Sequence, residues 1–389
     1  MDGDESTTTF PRVPGAGAGP QVDERPTPHP GHPGGGHPVP GFRPGDRAPE
    51  PRRRTGRLWL RLVAIIGIIA LVLAAVLVGG FLYLQHKYDS NIERFDAFQG
   101  LEDKDRPVVV AKDAQNILLL GSDSRISAGD ASAWVRGAQR TDAIMLVHIP
   151  ADRQNVTVTS IPRDSWVNIP GHGMNKINAG FSFGGPALEV KTIEAYTGVR
   201  IDHVVVLDFD GFQQVTDDLG GVRITIPDDS YDSARRKHWK AGTYTMDGET
   251  ALTYVRQRHG LPGGDFDRVK RQQNWIRAIA TKTLSKDTLT NPMTLTSVLG
   301  SITKAASVDD GFSIGEMRST ALSLRDVKVK DITFMTAPLD GTGWSPDGKQ
   351  SIVKLNKAGN KSLWKAYKDD TVSEWLAAHP DAALGKTVR

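Results

Sequence analysis

"NILLLGSD", residues 116–123, sets the fold class. An unbroken apolar run that stops in Gly-Ser-Asp reads as a strand buried on both faces. The same texture returns in "AIMLVHIP" (143–150), "VTVTSIP" (156–162), "HVVVLDF" (203–209), "VRITIP" (222–227) and "DITFMTAP" (331–338). Helical patterns lie between these strands. "PALEVKTIEAYTG" (186–198) starts at Pro and stops at Gly, and "DGFQQVTDDLGG" (210–221) also ends in glycine. A third helix begins near Asp265 and runs into the 280s. Strands alternating with helices predict an α/β fold whose sheet is covered on both faces. No internal repeat is visible.

Upstream the composition changes twice. Residues 1–57 hold almost no large apolar side chains and carry "HPGHPGGGHPVPG", so they cannot bury enough surface to offset ordering entropy. A disordered tail is expected there, and His29, His32 and His37 have no rigid spacing for a metal. Then "LVAIIGIIALVLAAVLVGGFLYL" (62–84) runs for 23 residues without a charge. As a helix it is about 34 Å long, enough for a bilayer core of about 30 Å. Arg52, Arg53, Arg54, Arg57 and Arg61 precede it, which predicts a single-pass anchor with the N-terminus in the cytoplasm and the rest outside. The expected organisation is a tail over 1–57, a transmembrane helix over 58–84, a stalk over 85–112 and a catalytic domain over 113–389.

Bulk charge excludes little. The net charge is +3, from 48 basic and 45 acidic side chains, so no global basicity calls for nucleic acid. The chain has 0 cysteines, which excludes disulfides and thiolate chemistry but leaves the compartment open.

Polar motifs gather at strand ends. "GSDSR" (121–125) follows one buried strand, "RTD" (140–142) precedes the next, and "SIPRDSW" (160–166) brings Arg163 and Asp164 after a third. If these strands are neighbours, Asp123 and Asp142 share one sheet edge, and two carboxylates suit a hard cation such as Mg²⁺. The competing reading is that the two aspartates cap a turn and a strand. "YVRQRHGLPGGDFDRVKRQQN" (254–274) adds a helix end, a Pro-Gly-Gly turn and a helix start. Asp247 is expected to cap the first helix, with Ala251, Leu252 and Val255 buried. Arg256 and Arg258 then fall at its C-terminal end, where the helix dipole alone accounts for cations. In the second helix Val269, Ile276 and Ala280 form the expected apolar stripe, with Arg268 and Gln272 along its border. Lys270, Asn274 and Arg277 are expected in water. Arg256, Arg258, Arg268 and Gln272 can thus converge, and guanidinium forks match phosphate oxygens bidentately.

Taken in order, "NILLLGSDSR", "RTDAIMLV", "SIPRDSW", "KINAGFSFGGP", "LDFDGF…DDLGGV", "MDGETALTYVRQRH" and "GGDFDRVKRQQ" resemble the LytR–CpsA–Psr family of wall-glycopolymer ligases. The likeness covers about 116–274, and more loosely the residues beyond. It implies an α/β/α sandwich with a central mixed sheet. It also implies binding of a polyprenyl-pyrophosphate-linked glycan, whose transfer with one phosphate to a peptidoglycan sugar hydroxyl would build cell wall at the membrane. By motif, Asp123 and Asp142 correspond to magnesium ligands, with Mn²⁺ as an alternative ion. Arg163, Arg256, Arg258 and Arg268 correspond to pyrophosphate-binding residues, and Gln272 to the motif glutamine. Residues 124–139 look like a local insertion. Asp142, Asp164 and Asp265 are all conceivable general bases. Two other functions compete: a plain pyrophosphatase using the same pocket, and a transcriptional attenuator, which the anchor opposes by placing 254–274 outside the cytoplasm. The Gly/Pro/Ala-rich composition points to an actinobacterial source, with arabinogalactan, teichoic-type and capsular polymers as candidate cargo.

Overall fold

The computed structural model describes residues 90–122 and 141–388, with four helical residues between 71 and 75. The tail, most of the apolar stretch 62–84, Asp123 and the segment 124–139 lie outside the described residues. No helix among the described residues is long and apolar enough to cross a membrane.

Seven strands make the central sheet. They are β1 (Glu93–Phe95), β2 (Gln115–Ser122), β3 (Thr141–Ile149), β4 (Val156–Ser160), β5 (His203–Asp208), β6 (Ala306–Asp309) and β7 (Ile332–Thr336). Their spatial order is β1-β6-β5-β2-β3-β4-β7. The β1–β6, β5–β2 and β4–β7 pairs are parallel and the others antiparallel, so the sheet is mixed.

Period-two alternation gives the sheet two apolar faces. On one, Leu118, Leu120, Ile144 and Leu146 meet Val190 and Ile193 of α1 (Ala179–Thr197). The other face carries Ile117, Met145, Val158 and Phe334, against which Ile276 and Met317 pack. A third cluster lies beside the sheet. It joins Val215 of α2 (Phe209–Asp218), Leu252 of α3 (Gly248–Val255) and Trp275 of α4 (Asp265–Thr283). Helices α5 (Pro292–Ala305), α6 (Ile314–Ser323), α7 (Lys357–Lys368) and α8 (Val372–Ala378) complete the layers. This is the expected α/β architecture, with a mixed central sheet between helices.

Several boundaries differ from expectation. Val222–Ile226 is a strand, but it pairs with Gly242–Met246 in a separate two-stranded hairpin. Its residues alternate buried and exposed, which is the pattern of a one-sided ribbon rather than a central strand. The segment expected as a stalk is partly built into the domain. Glu93–Phe95 is the edge strand β1, and Arg106 pairs with the buried Glu194 at 2.8 Å while lying 4.3 Å over the Phe98 ring. Isolated anchors such as Phe95 and Ala97 in polar text leave no periodic signal to read. Pro186 marks a kink inside α1 rather than its start, with Gly185 at φ 65° and ψ −160°.

The turn before α4 depends on glycine. Gly264 sits at φ 54° and ψ −115°, which strains any L side chain, and a Cβ on Gly263 would lie 2.6 Å from Asp267 Oδ1. Asp267 itself accepts from the Gly263 N–H at 2.8 Å, closing the turn.

Glu189 on α1 is fully buried, and its Oε2 accepts from the Phe181 N–H at 2.8 Å. Burial pushes its carboxyl up from 4.5 to about 8. The folded chain therefore keeps a proton that the unfolded chain has released, so stability falls as pH rises from 4.5 to about 8 and levels above it. We predict a loss on the order of 1 kcal/mol per pH unit across that window, absent in Glu189→Gln. Thermal unfolding of both proteins through the window measures it; parallel pH profiles would refute it.

Candidate functional site

The candidate site forms at one end of the sheet. There β2 stops at Ser122, which is paired with Asp208 of β5 on one side and with Thr141 of β3 on the other. The β3–β4 ladder continues past its last residue through an Ile161 N–H to Ile144 carbonyl bond of 2.8 Å. Two residues further on each strand, Arg163 makes an ion pair with Asp142. Arg163 Nε is 3.9 Å from Asp164, whose other oxygen meets Lys176 Nζ at 3.0 Å. Arg163 Nε and Thr141 Oγ1 are buried without a hydrogen-bond partner among the described residues.

Helix α4 reaches this sheet end through one side chain. Gln273 is fully buried, and its Nε2 donates to Ser160 Oγ at 2.7 Å and to the Met335 carbonyl at 2.6 Å. The first turns of α4 are thereby held beside the ends of β4 and β7. In the first turn, Asp265 accepts from Arg258 Nε at 3.1 Å and lies 2.9 Å from an Arg268 Nη2. Arg268 is 5% exposed, so this carboxylate neutralises a cation largely withdrawn from water. The helix N-terminus favours the same negative charge. One turn later, Gln272 joins Asp208 at the rim of a cavity of about 40 Å³. Its walls are apolar: Leu119, Ala143 and Met145 from the sheet, Phe212, Trp275 and Ile276 from the helices.

Chemically, this is a set of cations held by carboxylates that an incoming dianion can replace. Arg163 and Asp142 form one unit, and Arg258, Asp265 and Arg268 form another. Arg256 is half-buried at the C-terminus of α3, its N–H donating to the Leu252 carbonyl at 3.1 Å. Among the described residues no three His, Asp or Glu side chains converge as a metal cage. The oxygen donors at this sheet end, Asp142, Asp208, Ser122 and Thr141, suit a hard cation in kind. Asp123 follows Ser122 directly and lies outside the described residues.

Two assignments of side chains change. Asn274, expected in water, is buried, and Arg277 is half-buried, donating to the Gly385 and Lys386 carbonyls at 2.8 and 3.0 Å. The C-terminal segment covers them, a contact that helix periodicity cannot foresee. Arg271 is not a ligand-facing cation: it lies 4.0 Å over the Tyr254 ring and donates to Gln257 at 2.7 Å, clamping α3 to α4. Lys270 is half exposed, with Asp267 at 3.5 Å. Asp208 adds to the expected site residues, and its signal in the sequence is that "LDF" closes one apolar run as "GSD" closes another. Asp265, a conceivable base by sequence, is also the bridge between two arginines.

The LytR_cpsA_psr family model matches residues 84–369. The chain belongs to that family. It is 36% identical over 266 residues to the probable cell wall biosynthesis protein LcpB of Corynebacterium glutamicum, covering 67% of this chain and 62% of LcpB. It is 34% identical over 243 residues to TagT of Bacillus subtilis, a polyisoprenyl-teichoic acid–peptidoglycan teichoic acid transferase, covering 60% and 73% of the two chains. Among solved structures, TagT with bound octaprenyl pyrophosphate lipid superposes with TM-score 0.50 at 27% identity, over 69% of this chain and 96% of TagT.

Asp265→Asn leaves the Arg258 and Arg268 guanidiniums without their shared anion. Expected are a loss of roughly 1–3 kcal/mol of stability and tighter binding of inorganic pyrophosphate. Urea unfolding and calorimetric titration measure the two; unchanged pyrophosphate affinity would count against exchange of the carboxylate for a phosphate.

Proposed function

We propose that this protein transfers a glycopolymer, with one phosphate, from a polyprenyl-pyrophosphate carrier to a sugar hydroxyl of peptidoglycan. The observation that carries this reading is the layout of α4. Arg268 in its first turn belongs to an anion-ready pair of guanidiniums, and Gln272, four residues on, borders an apolar cavity between sheet and helices. Cations beside an apolar opening match the two ends of a lipid pyrophosphate, and at about 40 Å³ the opening must widen between sheet and helices to take the lipid chain. TagT, whose name describes such a transfer and which has been solved with octaprenyl pyrophosphate, supports the same substrate class.

In this mechanism Arg163, Arg256, Arg258 and Arg268 hold the pyrophosphate, and Gln272 donates a hydrogen bond to it. The acceptor hydroxyl oxygen bonds to the glycan-side phosphorus as that phosphorus parts from the oxygen bridging to the lipid phosphate. The lipid phosphate leaves with the bond's electron pair, and the guanidiniums stabilise its growing charge. The hydroxyl proton passes to a carboxylate, for which Asp142, Asp164 and Asp265 are the candidates. Asp123 and Asp142 would bind Mg²⁺, or Mn²⁺ in its place, which neutralises charge on the phosphate oxygens when bound. Arg163, kept extended at the sheet end by Asp142, would exchange that carboxylate for a phosphate oxygen of the substrate. The basic run 52–61 ahead of the apolar stretch 62–84 supports a single-pass membrane protein whose domain works outside the cytoplasm on cell-wall substrates.

The test loads the full-length chain with a polyprenyl-pyrophosphate glycan and peptidoglycan. A glycan–peptidoglycan phosphodiester is expected, reduced about a hundredfold in Arg258→Ala. Release of phosphate without the phosphodiester would make the protein a pyrophosphatase, and unchanged transfer by the variant would sink the arginine assignment. Chelation is expected to stop transfer and added Mg²⁺ to restore it; transfer that persists in excess chelator removes the metal from the mechanism.

A further inference from the structure

A second cavity borders α4 on another side. It holds about 800 Å³, within the range of small-ligand clefts. Arg223, Arg277, Lys282, Lys330 and Lys386 line it, and among the described residues no acidic one does. Arg223 comes from the outer side of the Val222–Ile226 hairpin strand, Lys282 from the last turn of α4, Lys330 from the residues ahead of β7, and Lys386 from the C-terminal segment. Four separate stretches of chain therefore bring cations to one concavity.

The charges are poorly cancelled. Arg277 is fixed by three neutral acceptors, the Gly385 and Lys386 carbonyls and Asn274 Oδ1, which position its charge without neutralising it. Lys330 has Asp331 at 3.8 Å, an exposed pair that contributes little. Arg223, Lys282 and Lys386 have no ion pair among the described residues. The C-terminal end of α4 accounts for Lys282 through the helix dipole, but not for the other four. Solvated lysines on a convex face would be unremarkable in charge. Here they repel one another across a hollow, an arrangement that an anion relieves.

The cavity is separate from the candidate site. Gln272 faces the sheet, whereas Asn274, two residues on, lines the cleft about 200° around the helix. From Asn274 to Lys282 the cleft follows α4 for about 12 Å, away from Asp265.

We propose that this cleft is a second anion site, distinct from the Arg258–Asp265–Arg268 site, that binds a chain carrying repeated phosphates. A single phosphate cannot touch cations spread over such a length; a chain of them can. Phospholipid headgroups share this chemistry, but the hollow suits a linear chain better than a flat surface. That the chain is the transferred glycopolymer rests on the proposed reaction; the anion site does not.

The test uses the full-length chain and sodium tripolyphosphate, with lysine acetylation read by mass spectrometry against sodium chloride of equal ionic strength. Lys282, Lys330 and Lys386 are expected to be protected, and the exposed Lys361 on α7 is not. In the Arg223→Gln/Lys282→Gln/Lys330→Gln variant, protection at Lys386 is lost and tripolyphosphate binds this site about tenfold more weakly. Arg258→Ala leaves protection at Lys386 unchanged, which separates this site from the transfer site whether or not transfer occurs. The proposal is overturned if tripolyphosphate protects none of the three lysines, or if Arg258→Ala abolishes the protection. It is equally overturned if only phosphatidylglycerol vesicles protect them, since the cleft is then a membrane contact.

Discussion

The buried amide of Gln273 ties α4 to the sheet, through Ser160 Oγ of β4 and the Met335 carbonyl of β7. A polar side chain at zero exposure is costly unless it is bonded, so these contacts hold one helix in one register. The residues on either side inherit that placement. Gln272 lines the cavity beside Gly121 of β2 and Asp208 of β5, while Asn274 and Arg277 turn to the other, cationic cleft. One fixed register thus divides a basic helix between two environments.

Carboxylates set the state of the first environment. Asp142 and Asp265 occupy Arg163, Arg258 and Arg268, so the site is neutral enough to fold without its substrate. Such pairs give little net stability, because desolvation offsets most of the Coulomb attraction. They instead keep guanidiniums extended and aimed, and the cost of orienting them is met during folding rather than at binding. The Pro-Gly-Gly turn serves the same end, since Gly263 and Gly264 let the chain reverse tightly enough for Asp265 to meet Arg258.

Much of the architecture was legible before any coordinates. The strands over 116–123, 143–150, 156–162, 203–209 and 331–338 all appear in the central sheet, because continuous β-branched and leucine runs between turn residues have few other uses. Asp247 caps α3 through the Thr250 N–H, and Ala251, Leu252 and Val255 are buried as the helical spacing requires. The edge strand Glu93–Phe95 was not legible, since three residues carry no period. The hairpin position of Val222–Ile226 was visible only as an alternation of apolar and polar residues, a signal overridden by its β-branched content.

The sequence by itself determined which residue types are available to bind an anion and near which turns they lie, because motif spacing and helix period are local properties. It also determined the alternation of strands and helices, for the same reason. Only the tertiary structure decided how those cations are shared out. Arg271 went to the Tyr254 ring, Arg277 to the C-terminal carbonyls, and Arg258 with Arg268 to Asp265. Only the Arg268–Asp265 pair, three residues apart on α4, is local; the others need a partner brought in by chain reversal or from about a hundred residues away, and pairing at that separation is a property of packing, not of any window of sequence.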